Sequence, residues 1–545
     1  MTLADHLIIA PIIIPLVAGG VMLLLDGRRR EAVAAIGVFA TVVQLVVAIA
    51  LLVASSKEDP ASAVRIYLLG NWPASFGIVL VADRLATLML LLTATLGCAA
   101  LLFSLASWHR EGSYFHPLFQ FLLMGLNGAF LTGDLFNLFV FFEVLLAASY
   151  GLALHGSGRA RVSASLHYIV INLVASSLFL IGVSLIYGTA GTLNMTALAE
   201  RIAVLDPSDR RLFEIGAAVL GIAFLVKAAA WPLGFWLPGL YAAASAPVAA
   251  VFGIMTKVGF YAILRLGSLT ADAAGGTSIF FADGWLFAVG AATIGFAAIG
   301  MLASQDMGRL AGYNVLVSSG TMLAAIGFGG KAMTSAALFY LVSSTLTVAA
   351  FFLLVELLER GRTVADDVLA VTLEAYGAED AVDAEEEEEV GVAIPAIIAA
   401  LGVAFLACAL LISGLPPLSG FIAKFAILSG VLGEHQLVRS GTLSVRGWIL
   451  LFAILISSLA TIVAVTRAGI RTFWTFTDRE LPAVRRVEFG AIALLIMLCV
   501  VLTVQAGPVM RFMQATADGL ALGPTYIGAV QGRPQGTPHG VERTP

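Results

Sequence analysis

The sequence predicts an all-α polytopic membrane protein, and three features lead to that prediction. Of its 545 residues, 60% are hydrophobic and only 12% are charged, a balance far outside that of soluble domains. Apolar runs of about 20 residues recur along the chain, each long enough to cross about 30 Å of hydrocarbon. Many of the 55 glycines fall inside these runs, where small residues let helices pack closely. We therefore expect a helical bundle in a lipid bilayer, with no nucleic-acid partner.

The apolar runs predict fourteen membrane-spanning segments. Their expected bounds are 7–25, 32–54, 83–106, 115–131, 135–154, 163–187, 213–232, 247–268, 284–303, 308–328, 334–358, 392–413 continuing past a break to 432, 447–466 and 487–507. Every second link is basic, and basic links remain in the cytoplasm, which places both termini on the outer side. These links contain Arg28, Arg29 and Arg30; Arg110; Arg159 and Arg161; Arg309; Arg360 and Arg362; and Arg467 to Arg486.

Two segments are expected to lie outside the bundle. Residues 362–390 end in the acidic run Glu385–Glu389, which cannot pack and predicts a solvated cytoplasmic loop. Residues 520–545 are rich in Gly, Pro and Thr and predict a disordered tail, with no helix after the fourteenth span. The first run lacks a basic start and a cleavage site, so it is expected to be a retained span. The expected units are 1–107 (N-terminal helices), 108–270 and 271–470 (two repeats), 471–519 (last span) and 520–545 (tail).

The cysteines and histidines predict no cofactor and no metal site. Cys98, Cys408 and Cys499 lie in separate apolar runs without a CxxC pair, as small buried hydrophobic residues do. The seven histidines are scattered, and no pair has the spacing of metal or haem ligands. We expect no redox centre in this chain.

Lysine is used sparingly, and three of the five lysines fall in the middle of predicted spans. These three are Lys227, Lys257 and Lys424, whereas Lys57 and Lys331 lie in links. Arginine stays protonated in any environment, but a desolvated lysine can release and regain a proton. The pattern favours proton transfer inside the membrane over lysines that a nearby carboxylate simply neutralises.

Carboxylates provide candidate partners for these lysines. Glu143 lies in the middle of the fifth span among apolar residues and needs a partner, for which Lys227 is the candidate. Asp134 follows Gly133 near the end of that span, where a helix cap and an ion-path residue are equally compatible with the sequence. His167 on the sixth span is a packing residue or an extension of the polar line. Glu356 lies one turn from Arg360 and is expected to be interfacial.

Two apolar segments are interrupted close to a lysine, one by a single proline and one by a pair of prolines. Trp231-Pro232 follows Lys227, and Pro416-Pro417 precedes Lys424. A helix must kink or break at such positions, and its freed backbone groups need partners. One interrupted helix in each half of the chain is the pattern of transport sites built from paired repeats. We therefore predict two inverted five-helix repeats, each with a broken helix.

Three segments resemble the antiporter-like membrane proteins shared by respiratory complex I and multisubunit cation/proton antiporters. They are Thr132–Leu146 (TGDLFNLFVFFEVLL), Thr256–Ala262 (TKVGFYA) and Gly414–Lys424 (GLPPLSGFIAK). The first two resemble the D-type subunit of the Mrp (also Mnh, Sha or Pha) monovalent cation/proton antiporter more than the complex I relatives. The resemblance covers roughly residues 80–470 and implies roles by position. Glu143 and Lys227 would form a pair, with Lys257 as the central and Lys424 as the terminal lysine of a hydrated polar axis.

The sequence departs from this family pattern at two places. Gly234 stands where many relatives carry a histidine in the broken seventh helix. The eleventh span has serines and threonines where several relatives have His and Lys, so a route from Lys257 to Lys424 would need water held by hydroxyl groups. The hydroxyl residues in question are Ser343, Ser344, Thr345 and Thr347.

The resemblance implies a proton-carrying membrane subunit of a Na⁺(K⁺)/H⁺ antiporter, in which proton influx drives cation efflux. It implies a multi-pass protein of the bacterial cell membrane that assembles with other subunits, of the A, B, C, E, F and G types. The alternative is a proton-pumping membrane subunit of a complex I-like quinone or hydrogenase complex. A third interpretation is an inert assembly scaffold. The presence of all four family charges argues against it. A transporter subunit, not an enzyme, is expected.

Overall fold

The computed structural model describes residues 5–25, 29–56, 63–74, 77–112, 114–271, 283–360, 396–433, 443–473 and 484–532. Within them the chain is an all-α polytopic membrane protein with one small hairpin. The helices are α1 Ala10–Leu24, α2 Arg30–Ser55, α3 Arg84–Ser104, α4 Phe115–Leu131, α5 Leu135–Ala153, α6 Arg159–Ala190, α7 Met195–Ile202, α8 Pro207–Lys227, α9 Trp236–Ala243, α10 Ala246–Ala271, α11 Asp283–Ala303, α12 Met307–Phe328, α13 Lys331–Glu359, α14 Ala396–Ser413, α15 Ser419–Gly433, α16 Val445–Phe473, α17 Arg486–Val504, α18 Ala506–Ala521 and α19 Gly523–Gln531. The strands β1 Arg65–Leu68 and β2 Val79–Ala82 pair antiparallel.

Each of the fourteen predicted spans corresponds to a helix, or for the twelfth span to the pair α14 and α15. Among the described residues, eleven helices have the length and composition of a membrane span. Three more, α1, α4 and α15, are apolar but shorter. The predicted acidic loop at 362–390 lies outside the described residues.

The most deeply buried helices are α10, α12 and α13, which form the centre of the bundle. Helix ends are set by local chemistry. Asp83 and Asp306 accept hydrogen bonds from the first turns of α3 and α12, and Gly191 ends α6 in the left-handed conformation. At α1, Pro15 has no N–H, so the carbonyl of Pro11 lacks its helical donor and receives one from Asn127 of α4.

The two ends of the bundle differ in chemistry. We call one end the basic face. There the Trp108 indole and the Arg360 guanidinium donate to Glu356, and Arg360 also pairs with Glu488 at 2.7 Å. Glu356 therefore contacts Arg360, and its position at the membrane interface stays a prediction. Arg485 donates to the carbonyl of Ala106 at the same end.

We call the opposite end the hairpin face, because β1 and β2 lie there with α7, α18 and α19. The prediction that no helix follows the fourteenth span is wrong, and residues 520–531 of the predicted disordered tail are largely helical. The apolar residues of α18 are spaced as one buried face, which packs on α13. Lys331 and Asp518 join the two helices at 3.1 Å. Residues 533–545 lie outside the described residues.

Candidate functional site

The structure places all four residues of the candidate axis, Glu143, Lys227, Lys257 and Lys424, inside the bundle. Glu143 lies in the middle of α5 and is half-buried, whereas the three lysines are each at most 7% exposed. Lys257 is in the middle of α10 and Lys424 is in α15. Lys227 is the last residue of α8, not the middle of a span as the sequence suggested, because the helix ends at the break that follows.

Two polar residues of α6 stand between Glu143 and Lys227. Lys227 Nζ donates to Asn172 Oδ1 at 3.0 Å, and the Ser176 hydroxyl donates to Glu143 Oε1. Asn172 and Ser176 are one helical turn apart, so they share a face of α6. Lys227 Nζ also lies 5.6 Å from the ring centroid of Phe142, the neighbour of Glu143. The predicted residues therefore form no direct ion pair, and we call the two separate contacts, Lys227–Asn172 and Ser176–Glu143, the bridge.

The same face of α6 continues towards the basic face as a buried polar stripe. Ser165 and Tyr168 precede Asn172 at helical spacing, and the Tyr168 hydroxyl is 2.7 Å from the Ser149 hydroxyl of α5. Ser165 Oγ, Tyr150 Oη and Trp236 Nε1 are buried without a protein partner. Buried polar atoms in this state usually bind water. The stripe is therefore suited to hold water between the basic face and Lys227.

A second group of polar contacts begins at Lys257. Its Nζ donates to the Ser318 hydroxyl of α12 at 2.9 Å, and Ser318 Oγ lies 2.8 Å from Ser344 Oγ of α13. Ser343, the neighbour of Ser344, is 2.9 Å from Ser419 Oγ at the start of α15. Hydroxyls therefore lead from the central lysine to the helix that carries Lys424.

A small cavity lies between these hydroxyls and Lys424. About 20 Å³ of it is open to the centres of water molecules, and one water needs about 10–15 Å³. Its walls include three of the sequence-predicted hydroxyl residues, Ser343, Ser344 and Thr347, together with Lys424. Thr345, by contrast, donates to the carbonyl of Leu341 along its own helix.

Lys424 binds the carbonyl groups that the second break leaves free. Pro416 and Pro417 have no N–H to offer the carbonyls of Ile412 and Ser413, four residues earlier. Lys424 Nζ donates to these two carbonyls at 3.2 and 2.9 Å and to the Ser458 hydroxyl at 2.9 Å. Gly414 (φ +75°) makes room, since a Cβ there would lie 2.6 Å from Lys424 Cδ.

The first break has a different geometry. A Cβ on Gly234 would lie 2.1 Å from the carbonyl oxygen of Ala229, so the chain folds back too tightly for any side chain at position 234. Trp231 donates its backbone N–H to Thr293 of α11 at 2.9 Å. Trp231 and Pro232 are exposed, as are Pro416 and Pro417 at the second break. The prolines thus shape the helix ends from exposed positions.

The structure does not bring two of the predicted supporting residues to the axis. His167 is exposed on α6, where its ring binds the carbonyl of Ser163. Asp134 caps α5 by accepting the N–H of Asn137 at 2.9 Å, so its helix-cap interpretation matches the geometry. No group of three or more potential metal-binding side chains is present in the described part of the chain.

Sequence reasoning missed four direct contacts of the axis: Asn172, Ser176, Ser318 and Ser458. Each is a polar residue within an apolar span, and such residues usually face the interior of a membrane bundle. That signal could have found Asn172 and Ser176, which share a helix face. The same signal could not have shown which charged residue of the axis each polar residue contacts.

Comparison with known proteins agrees with this architecture. The chain is 55% identical to a D-type subunit of a probable K⁺/H⁺ antiporter from Rhizobium meliloti, over 97% of this chain and 98% of the relative. It is 33% identical to the D-type subunit of a Na⁺/H⁺ antiporter from Alkalihalophilus pseudofirmus, over 96% and 99% of the two chains. A chain in the structure of the Mrp complex from Dietzia sp. DQ12-45-1b superposes with a TM-score of 0.79 at 25% identity, covering 97% and 100%. Residues 132–450 match the family described as "NADH:quinone oxidoreductase/Mrp antiporter, TM", and the chain belongs to that family.

Proposed function

We propose that this chain is a membrane subunit of a multisubunit monovalent cation/proton antiporter and carries protons along Glu143, Lys227, Lys257 and Lys424. One observation carries the proposal. Each of the three buried lysines bonds a neutral polar side chain, and hydroxyls with a water-sized cavity lead from Lys257 to Lys424. A buried ammonium held by neutral groups is stabilised only weakly, so it can release its proton.

The bridge between Glu143 and Lys227 controls proton release from Lys227. With the carboxylate close by, its charge stabilises protonated Lys227 across the Asn172 and Ser176 bridge. Movement of Glu143 away from the bridge removes that stabilisation, and the lysine then releases its proton. Water on the α6 stripe connects Lys227 to the basic face, which the arginine distribution assigns to the cytoplasm.

The route also includes Lys257 and, through Ser318, Ser344 and cavity water, Lys424. Inward proton flow through the assembled complex would drive cation efflux, in this subunit or in a neighbour. The relatives are named as D subunits of antiporters, which supports further subunits of the same antiporter as partners. We expect these partners to be of the A, B, C, E, F and G types and the complex to lie in the bacterial cell membrane. The names of the relatives also favour the antiporter over a complex I-like pump. Co-purification of flavin or iron–sulfur subunits would reverse that preference.

The proposal is tested by antiport in membrane vesicles that contain the whole complex. Glu143→Gln keeps size and hydrogen bonding but removes the charge that stabilises Lys227. We expect cation-induced proton movement to fall about tenfold or more, the factor that corresponds to 1.4 kcal/mol. Glu214→Gln is the matched control, because Glu214 is an exposed carboxylate paired with Arg210 on α8. Normal antiport by an assembled complex carrying Glu143→Gln would contradict the proposed route.

A further inference from the structure

A second buried charge pair lies towards the hairpin face, apart from the candidate axis. Two nitrogens of the Arg265 guanidinium donate to the two oxygens of Asp83 at 2.6 and 2.7 Å. Arg265 is 2% exposed and joins α10 to the first turn of α3, where Asp83 is the N-cap. Such a pair is seldom needed for stability alone, because a well-packed apolar pair of similar volume often stabilises a protein as well or better.

This pair stands at the end of a column that begins at Lys257. Lys257, Tyr261 and Arg265 follow one another at four-residue spacing on α10 and so share one face of the helix. The Tyr261 hydroxyl accepts from Arg265 at 3.2 Å and donates to the carbonyl of Phe130 at 2.6 Å. Eight residues of helix correspond to about 12 Å. The column therefore forms a short route from the central lysine towards the hairpin face.

A cavity meets this column from the other side. About 30 Å³ of it is open to the centres of water molecules, room for about two waters, and Asp83, Arg84, Thr516 and Tyr526 are among its walls. The ring of Tyr526 in α19 lies 5.0 Å from Arg265 Cζ and covers the guanidinium. Water in this cavity therefore reaches Asp83, while Arg265 separates it from Tyr261 and Lys257.

An arginine is well suited to close such a path. Its guanidinium does not deprotonate in proteins, so it cannot relay a proton. Its fixed positive charge also repels protons and cations, as arginines do in selective membrane pores. Asp83 holds the guanidinium in place through two parallel hydrogen bonds.

We propose that Arg265, positioned by Asp83 and covered by Tyr526, is an electrostatic seal that stops protons from passing between Lys257 and the hairpin face. The inference rests on the proposed function, because it requires Lys257 to carry protons. With the seal in place, a proton on Lys257 has to continue towards Lys424. Without it, the proton gradient would be lost through a leak that moves no cation.

The decisive variant is Arg265→Lys in the complete complex, reconstituted into liposomes. Lysine keeps a positive charge beside Asp83 but can release a proton in a desolvated site, so it turns the seal into a relay. We expect passive proton leak, measured without any Na⁺ or K⁺ gradient, to rise about tenfold or more. Arg84→Lys is the matched control, since Arg84 is the neighbouring arginine on the cavity wall and lies outside the column. A leak at the wild-type level in an assembled Arg265→Lys complex would overturn the seal.

A second pair of variants separates the seal from a structural clamp. The double variant Asp83→Asn/Arg265→Gln removes both charges and leaves two amide side chains that can still hydrogen-bond. A seal predicts leak in this variant, whereas a clamp between α3 and α10 predicts an intact barrier. Adding Lys257→Leu to Arg265→Lys should abolish the leak, and persistence of the leak would contradict the column. The proposed function fails separately, through normal antiport in the Glu143→Gln complex.

Discussion

The bridge at Asn172 makes a sharp test of how Lys227 is held. Asn172 is 1% exposed, and its side-chain oxygen accepts a hydrogen bond from Lys227 Nζ at 3.0 Å. Its amide nitrogen donates to the carbonyl of Tyr168, one turn back on the same helix. Asn172→Leu fills nearly the same space but removes the acceptor. The buried ammonium then loses a hydrogen bond that water can replace only by entering an apolar site.

The size of the effect follows from that single bond. A hydrogen bond to a charged group contributes about 1.5–3 kcal/mol. Loss of this energy from the protonated form alone shifts the equilibrium between protonated and neutral Lys227 about ten- to a hundredfold towards the neutral form. Because Lys227 lies on the proton route, we expect antiport to fall by up to that factor while the complex still assembles.

The measurement is cation-induced proton movement in vesicles, corrected for the amount of assembled complex. Ser177→Ala is the control, because Ser177 is an exposed hydroxyl on α6 that bonds the carbonyl of Leu173. It should leave antiport unchanged. Wild-type antiport by assembled Asn172→Leu would refute the argument that the Asn172 bridge stabilises protonated Lys227.

Two further predictions concern the second half of the axis. Ser344→Ala removes the hydroxyl between Ser318 and the cavity, so antiport in vesicles should fall about tenfold. The conservative Ser344→Thr should retain most of the antiport activity. Equal activity of the two variants would contradict a hydroxyl route. Gly414→Ala places a Cβ 2.6 Å from Lys424 Cδ at a φ of +75°, so the free energy of unfolding should fall by about 1–3 kcal/mol. Thermal unfolding of the purified complex measures this loss. Unchanged stability would show that the break relaxes freely.

Much of the architecture could be predicted from the sequence because its signals are local. Apolar runs of membrane length marked the fourteen segments, and proline marked the two breaks. The membrane interior also made lysine unusual enough to single out Lys227, Lys257 and Lys424. The missed helices α18 and α19 show the limit of that reasoning. The Gly and Pro content of residues 520–531 resembled a disordered tail, whereas α18 packs on a face of α13 that exists only in the assembled bundle.

The sequence by itself determined which charges enter the membrane and where the helices break, since both depend on composition and on proline's missing N–H. Only the tertiary structure decided what those charges touch. Asn172 meets Lys227 and Ser318 meets Lys257, while His167 turns outwards, because helix rotation and packing set the direction of each side chain. The same packing brings Asp83 to Arg265 across 182 residues of sequence, a distance over which no local pattern carries information.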